Sequence, residues 1–157
     1  MLLLLAALVL LRPWEQLDFG DEPPQRATAY VSRVVDGDTV EVLLNGREED
    51  VRYIGVDTPE TVKPDTPVQC FGPQASAFNH GLVEHRRVRL VFGAESRDVY
   101  GRLLAYVYLG DRFVNAELLR RGLARTLTIP PNDRFAERFE GLQTAAARAG
   151  RGLWGAC

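Results

Sequence analysis

Two stretches separated by a short polar break decide the predicted fold: V-D-G-D-T-V-E-V at residues 35–42 and V-R-Y-I-G-V-D-T-P-E at residues 51–60. Val40 and Val42 alternate with Thr39 and Glu41, a period of two that predicts a half-buried strand. The dipeptides at 36–37 (D-G) and 45–46 (N-G) are strong hairpin signals. We therefore predict three antiparallel strands, at about residues 27–35, 39–44 and 49–56, joined by tight turns.

The rest of the chain alternates between strand and helix signals. Residues 61–69 carry two prolines and no apolar period, which predicts a loop. Gly72-Pro73 predicts the start of a helix that reaches about residue 85, because proline is tolerated at the first helical position. Two more strands follow near residues 88–92 and 103–109, then helices at about 114–121 and from Asn132-Asp133 to about 149. This order predicts an α+β fold, a five-stranded OB-type barrel with three packed helices.

Carboxylates lie at the rim of the predicted barrel. Asp38 follows the first turn and Asp57 ends the third strand. Oxygen atoms from two loops are the ligands that a hard cation such as Ca²⁺ requires. Aspartate also favours turns and caps for purely structural reasons, so both interpretations stay open on these residues alone. An EF-hand is excluded because Val40 occupies the third ligand position.

Charged side chains accompany these aspartates. Arg52 shares strand parity with Ile54 and Val56, so it points with apolar side chains and requires an anionic partner, which Asp38 or Asp57 could be. Further candidates are Glu60, held by Pro59 just past the strand, and Arg102, in the turn before the fifth strand. Each also has a non-functional alternative: Glu60 could be an ordinary surface glutamate, and Arg102 a solvated arginine in a turn.

Five motifs in order carry a resemblance to a known family. They are V-D-G-D-T (35–39), R-Y-I-G-V-D-T-P-E-T (52–61), F-G-P-Q-A-S-A-F (71–78), Y-G-R-L-L-A-Y-V-Y (100–108) and V-N-A-E-L-L-R-R-G-L-A (114–124). From about residue 27 to residue 154 the chain resembles the staphylococcal nuclease family in the order and spacing of these motifs. The resemblance implies the same five-stranded OB-fold barrel with three helices.

The resemblance also implies a function: Ca²⁺-dependent hydrolysis of phosphodiester bonds in DNA, RNA or both. It places the metal on the carboxylates of Asp38 and Asp57 and on the backbone carbonyl of Thr58. It makes Glu60 the general base or the residue that orders the attacking water. It assigns phosphate binding to Arg52 and Arg102, and contact with the nucleotide to Tyr100.

One segment departs from the family pattern. Where the family usually has tyrosines lining the nucleotide site, this chain has Thr126-Leu127-Thr128-Ile129-Pro130 and is one residue shorter. Base stacking contributes roughly 1–3 kcal/mol per base in aromatic sites. We expect weaker nucleotide affinity here.

The alternative function is a non-catalytic OB-type module that holds nucleic acid without cutting it. All five side chains that the nuclease reading needs are present, namely Asp38, Arg52, Asp57, Glu60 and Arg102. This favours the enzyme. A purely structural Ca²⁺ protein would have no use for both arginines.

Composition bounds the class of protein and its partners. The chain has 157 residues and a formal net charge of −2, which argues against a purely electrostatic nucleic-acid binder but not against a metal-dependent nuclease. The two histidines, His80 and His85, lie off the apolar stripe and near the end of the predicted helix, and we interpret both as structural. We expect a monomer with no obligate protein partner.

The N-terminus predicts export. Residues 1–11 are almost entirely apolar but too short for a comfortable membrane span of about 20 residues, so they resemble a signal-peptide core or an anchor in which residues 2–11 engage the membrane. Residues 12–26 read as a linker, which leaves 27–157 as the nuclease domain. Cys70 and Cys157 would form one disulfide in an exported protein; two unrelated thiols are the alternative.

Overall fold

The computed structural model describes residues 25–157, which form eight strands and four helices. The strands are β1 (Arg26–Val34), β2 (Thr39–Leu44), β3 (Arg47–Tyr53), β4 (Gly55–Asp57), β5 (Arg87–Arg97), β6 (Leu103–Leu109), β7 (Arg112–Phe113) and β8 (Arg125–Leu127). The helices are α1 (Gly72–Val83), α2 (Val114–Arg120), α3 (Ala136–Arg148) and α4 (Leu153–Ala156).

Five of these strands close into a barrel. The order is β3-β2-β1-β5-β6 with antiparallel neighbours, and a parallel pairing between β3 and β6 closes the ring. In that closing pair Val51 lies opposite Leu103 and Tyr53 opposite Ala105. The predicted five-stranded barrel is confirmed. The two-residue β7 pairs with β6, and β4 pairs with β8 in a separate small sheet.

Apolar side chains on the inward faces of the strands fill the barrel, as the period of two predicts. Val31, Val40, Val42, Val51 and Leu90 are fully buried. The helices pack outside this core, with α1 against β1, α2 against β6 and α3 against α2. The three predicted helices are confirmed. Gly122 at φ 68° ends α2 as expected, and the one-turn α4 is an addition that the sequence did not indicate.

The prediction of one continuous third strand over residues 49–56 is wrong. The chain bends after Tyr53, and β4 begins at Gly55, whose φ of 78° favours glycine. A Cβ at Gly55 would also lie 2.5 Å from the ring of Phe139. Because consecutive Tyr53 and Ile54 are both buried, the alternation of faces is lost here, so the predicted parity of Arg52 with Ile54 does not hold.

Four backbone groups at the bend have hydrogen-bond partners. The N–H of Ile54 donates to the carbonyl of Ala105 (3.0 Å), and the carbonyl of Ile54 accepts from Nδ2 of buried Asn115 (2.8 Å). Nη1 of Arg52 donates to the carbonyls of Tyr53 (2.9 Å) and Val56 (2.7 Å). Unpaired backbone groups are costly when buried, so these side chains stabilise the bend.

The predicted disulfide is present. Cys70 and Cys157 are bonded, with their Cα atoms 6.0 Å apart. The bridge joins the segment just before α1 to the residue after α4, and it closes a loop with a sequence separation of 87. In the chain-entropy model such a closure contributes about 4 kcal/mol to stability.

The prediction of a signal peptide or anchor at residues 1–11 lies outside the described residues. So does the proposed linker at 12–26, apart from its last two residues, and Arg26 already belongs to β1. Among the helices that the structure describes, none has the length and apolar character needed to cross a membrane.

Candidate active site

Asp38 lies at the closed end of the turn between β1 and β2 and is only 4% exposed. Its Oδ2 accepts two hydrogen bonds from Thr58, from the backbone N–H (2.6 Å) and from Oγ1 (2.9 Å). Its Oδ1 accepts from Oγ1 of Thr39 (3.1 Å). The turn can approach Thr58 this closely because residue 37 is glycine, where a Cβ would lie 2.7 Å from the Thr58 side chain. Asp38 and Thr58 are therefore brought together as expected.

Arg52 connects the two candidate metal ligands. Its Nε lies 3.2 Å from Oδ1 of Asp38, and its Nη2 lies 2.9 Å from Oδ1 of Asp57. The side chain is 14% exposed, and its Nη1 is the group that donates to the two carbonyls at the bend. The expectation that Arg52 pairs with Asp38 or Asp57 is met by both carboxylates at once. Four acceptors surround one guanidinium, so little of its donor capacity is unused.

Asp57 is the accessible member of the pair. Its side chain is 57% exposed, and Arg52 contacts it only at Oδ1. Burial raises the pKa of the Asp57 carboxyl above its ordinary range more than the Arg52 guanidinium lowers it, and the charges of Asp38 and Glu60 add to the rise. Glu60 lies three positions after Asp57 in the chain, close enough for its charge to act on that carboxyl.

Asp36 is a third carboxylate at this turn, and from its sequence pattern it was expected only to form the turn. Burial, followed by the charge of Asp38, raises its pKa from 3.8 to about 6. Its Oδ1 accepts from the N–H of Asp38 (3.0 Å). Its carbonyl accepts from Nδ2 of Asn79 (2.9 Å), a buried residue of α1 whose Oδ1 accepts from the hydroxyl of Tyr53 (3.0 Å). In the sequence, the only sign of this contact is a polar asparagine on the otherwise apolar face of the predicted helix α1.

The donor set fits a hard cation with help from backbone and water. Asp36, Asp38 and Asp57 carry three carboxyl groups near a single guanidinium, so they hold excess negative charge when ionised. Within residues 25–157, however, no group of three His, Cys, Asp or Glu side chains is gathered closely enough to bind a metal by itself. A cation here would depend on the aspartate pair, the Thr58 carbonyl and water molecules.

Glu60 is held by its own loop. Its Oε1 accepts three backbone hydrogen bonds, from the N–H groups of Thr61 (2.8 Å), Val62 (2.8 Å) and Lys63 (2.9 Å). Burial alone would raise the pKa of this carboxyl, but the three N–H groups together outweigh burial and lower it. Glu60 is therefore a carboxylate at neutral pH, with a fixed orientation relative to the loop.

Arg102 and Tyr100 line the same cleft as Arg52, with a volume of about 310 Å³. Nε of Arg102 donates to Oδ2 of Asp98 (2.7 Å), and its guanidinium carbon lies 5.5 Å from the centre of the Tyr100 ring. The Tyr100 ring is available to a ligand, since the residue is 82% exposed. Neither Glu60 nor the histidines line this cleft; His80 pairs with Glu84, and His85 stacks on Tyr30.

Aliphatic side chains replace the aromatic wall that is missing from the sequence. Leu127 and Ile129 line the cleft, as does Val99 beside Tyr100. All three are exposed, so together they form an apolar rim around the opening. Such a rim can pack against a base but lacks the π-face that aromatic stacking uses.

The comparisons with known proteins place the chain in one family. The family model described as "Staphylococcal nuclease homologue" matches residues 50–156. The chain is 48% identical over 130 residues to thermonuclease of Staphylococcus intermedius, covering 82% of this chain and 77% of that protein. It is 45% identical over 127 residues to thermonuclease of Staphylococcus hyicus, covering 81% and 75% respectively. Endonuclease YncB of Bacillus subtilis (strain 168) is 45% identical over 111 residues, 69% of this chain and 53% of that protein.

The chain belongs to the staphylococcal nuclease family. This confirms the family resemblance and, with it, the prediction of a nuclease enzyme. The roles of the individual site residues stay predictions.

Asp36→Asn should change how the stability of the metal-free protein depends on pH. The folded-state pKa of about 6 lies above the ordinary value of 3.8, so ionisation disfavours the folded state. Ionisation of Asp36 therefore does not lower the unfolding free energy below pH 4. The loss of unfolding free energy grows as the pH rises and reaches its full value above pH 6. Between pH 4 and pH 7.5 the variant should gain about 2–3 kcal/mol relative to wild type. Urea unfolding in chelator at both pH values measures this.

Asp111→Asn serves as the control, because Asp111 is an exposed aspartate in the turn before β7. Its unfolding free energy should follow wild type at both pH values. If the unfolding free energies of the Asp36 and Asp111 variants depended on pH in the same way, ionised Asp36 would not destabilise the folded state as we expect.

Proposed function

We propose that the chain is a Ca²⁺-dependent nuclease that hydrolyses phosphodiester bonds in DNA, RNA or both. One observation carries the proposal: Arg52 holds Asp38 and Asp57 together, and the same arginine lines a cleft that also contains Arg102. Excess negative charge for a cation and positive charge for a phosphate thus lie side by side. Family membership supports the nuclease class, and the choice of calcium is part of the proposal.

The proposed ligands of Ca²⁺ are the carboxylates of Asp38 and Asp57 and the backbone carbonyl of Thr58. Calcium tolerates irregular geometry and mixed oxygen ligands, whereas Mg²⁺ requires a nearly ideal octahedron. An exposed and a buried aspartate joined through an arginine form such an irregular set. When bound, Ca²⁺ would supply Lewis-acid stabilisation of charge on the phosphate.

Glu60 is proposed to orient the attacking water and to accept its proton. Its low pKa keeps it ionised, and three backbone hydrogen bonds fix Oε1. No described side chain donates to Oε2, so that oxygen can receive a hydrogen bond from water. A base with a low pKa is weak, so its contribution depends mainly on orientation.

Arg52 and Arg102 are proposed to stabilise the negative charge that builds on the phosphate oxygens. Within the described part of the chain, Asp98 takes Nε of Arg102 and no acceptor contacts its Nη groups, which can therefore bind a phosphate in a fork. Arg52 has fewer free donors, because Asp38, Asp57 and two carbonyls already surround it. The two arginines thus differ in how many N–H groups they can offer to a phosphate. The 5′-hydroxyl would be the leaving group.

Tyr100 is proposed to contact the nucleotide, with Leu127 and Ile129 packing against the base. The cleft, with a volume of about 310 Å³, is bordered by these exposed side chains. Affinity for the base would come mainly from one aromatic ring and aliphatic contacts.

Export is proposed from the apolar N-terminus and from the Cys70–Cys157 bridge, because disulfides persist in oxidising compartments. A monomer that acts without an obligate protein partner is part of the same proposal. The rival function, a non-catalytic OB-type nucleic-acid-binding module, would need neither Glu60 nor the aspartate pair.

Cleavage should require Ca²⁺. With single-stranded DNA, double-stranded DNA and RNA as substrates, the protein should cut with Ca²⁺, stop when excess chelator is added, and resume when Ca²⁺ is restored. Mg²⁺ should substitute poorly because of its stricter geometry. Equal cutting in chelator would overturn the metal assignment, and tight binding without cutting would favour the binding module.

Glu60→Gln and Arg102→Ala should each lower kcat by about two to three decades while Ca²⁺ still binds, because both act on the transition state. Steady-state kinetics with calcium titration of each variant measures this. Glu140→Gln and Arg112→Ala are matched controls at exposed positions of α3 and β7. Turnover of Glu60→Gln equal to that of Glu140→Gln would remove Glu60 from the mechanism, and the same comparison applies to the arginines.

A further inference from the structure

The loop that carries Glu60 is closed at its ends by one residue, Gln69. Oε1 of Gln69 accepts a hydrogen bond from the N–H of Glu60 (2.9 Å). In the opposite direction, the N–H of Gln69 donates to the carbonyl of Glu60 (2.9 Å). Both backbone polar groups of Glu60 are therefore bound by the same residue, across a separation of nine positions.

The carboxylate of Glu60 is bonded to this loop. Its Oε1 is bonded to the N–H groups of Thr61, Val62 and Lys63, which belong to the loop and not to the barrel. The position of the carboxylate relative to Asp57 therefore depends on where the loop is held. On its early side, the loop is attached through the bonds of Thr58 to Asp38. On its far side, it is attached through Gln69.

Gln69 is joined directly to rigid parts of the fold. The next residue, Cys70, is bridged to Cys157, and the carbonyl of Gln69 accepts from the N–H of Gly72, the first residue of α1. Gly72 packs so closely on the loop that a Cβ there would lie 3.0 Å from the carbonyl oxygen of Pro59 and 3.1 Å from that of Glu60. Gln69, Pro59 and the bridge line one small pocket.

We infer that Gln69 is a positioning residue for Glu60, which it holds at a fixed place in the loop from the segment between the disulfide and α1. This inference rests on the proposed role of Glu60. Gln69 does not line the cleft and touches no group assigned to the phosphate or the metal, so its effect would pass through Glu60. Misplacing a reacting group by about 1 Å can lower the rate about 100-fold.

The test compares Gln69→Leu with Gln69→Glu. Leucine removes the acceptor for the Glu60 N–H, whereas glutamate places a carboxylate oxygen where the amide oxygen was. Gln69 is exposed, so the leucine variant should fold. We expect Gln69→Leu to lower kcat about 10- to 100-fold with KM and Ca²⁺ affinity within twofold of wild type, and Gln69→Glu to keep turnover within about threefold. Gln74→Leu, at an exposed glutamine of α1, is the matched control and should behave as wild type.

A double variant separates this inference from the proposed function. If Gln69 acts only through Glu60, adding Gln69→Leu to Glu60→Gln should cause no further loss of turnover. Full turnover in Glu60→Gln alone would overturn the role of Glu60 and this inference with it. A slow Glu60→Gln beside a fully active Gln69→Leu would overturn only the role of Gln69. Losses that add in the double variant, or a parallel loss of Ca²⁺ affinity in Gln69→Leu, would also overturn it, since they would mark a general structural effect.

Discussion

The contacts of the Arg52 guanidinium are the interaction on which the site depends. Nη1 donates to the carbonyls of Tyr53 and Val56, on either side of the bend between β3 and β4, while Nε and Nη2 reach Asp38 and Asp57. The same side chain therefore stabilises the backbone bend and brings together Asp38, from the turn before β2, and Asp57, from the end of β4. Removing one partner of a largely buried ion pair costs about 3–5 kcal/mol, because the other charges are left without compensation.

Charge balance explains why the contacts of Arg52 alone do not complete the site. Arg52 supplies one positive charge against Asp38 and Asp57, with Asp36 bonded to Asp38 in the same turn, and burial raises the pKa of both Asp36 and Asp57. Placing like charges close together in a partly buried site is unfavourable without a further cation. The fold therefore keeps excess negative charge beside a cleft lined by Arg102, an arrangement that purely structural demands do not require.

Glu60 belongs to a different structural unit from the aspartates. Asp38 and Asp57 are fixed by strand ends and by Arg52, whereas Glu60 is bonded to the backbone of its own loop. The loop is attached on one side through Thr58 and on the other through Gln69 beside the disulfide. The aspartates are thus held at the ends of strands, whereas the Glu60 carboxylate lies on a loop that ends beside the Cys70–Cys157 bridge.

Much of this could be predicted from the sequence, because the local signals agree with the global fold. Alternating valines at 40 and 42 face the core, the Asp36-Gly37 turn delivers Asp38 to the rim, and Gly72-Pro73 opens α1. The motif order indicated the family and therefore the barrel closure, which is a parallel pairing between distant strands that no local pattern indicates.

The rest depended on tertiary contacts. The run from Val51 to Val56 has the composition of one strand, and only the packing of Phe139 on Gly55 and the bonds from Arg52 and Asn115 show that it must bend. The burial of Asp36 is equally invisible in sequence, because an aspartate before glycine reads as a turn residue. Gln69 gave no signal at all, since an exposed glutamine in a proline-rich loop is unremarkable on its own.

The most direct test of the central claim is Arg52→Lys, studied by urea unfolding and single-turnover cleavage on the same preparation. Lysine keeps the charge but cannot contact two carbonyls and two carboxylates at once. The account predicts a loss of about 3 kcal/mol or more in unfolding free energy, and a loss of at least two decades in rate under conditions where the variant is folded. Arg33→Lys is the control, because Arg33 is exposed and pairs with Glu41 across β1 and β2, so it should change little. If Arg52→Lys matched Arg33→Lys in both unfolding free energy and cleavage rate, the site would not depend on the contacts of the Arg52 guanidinium.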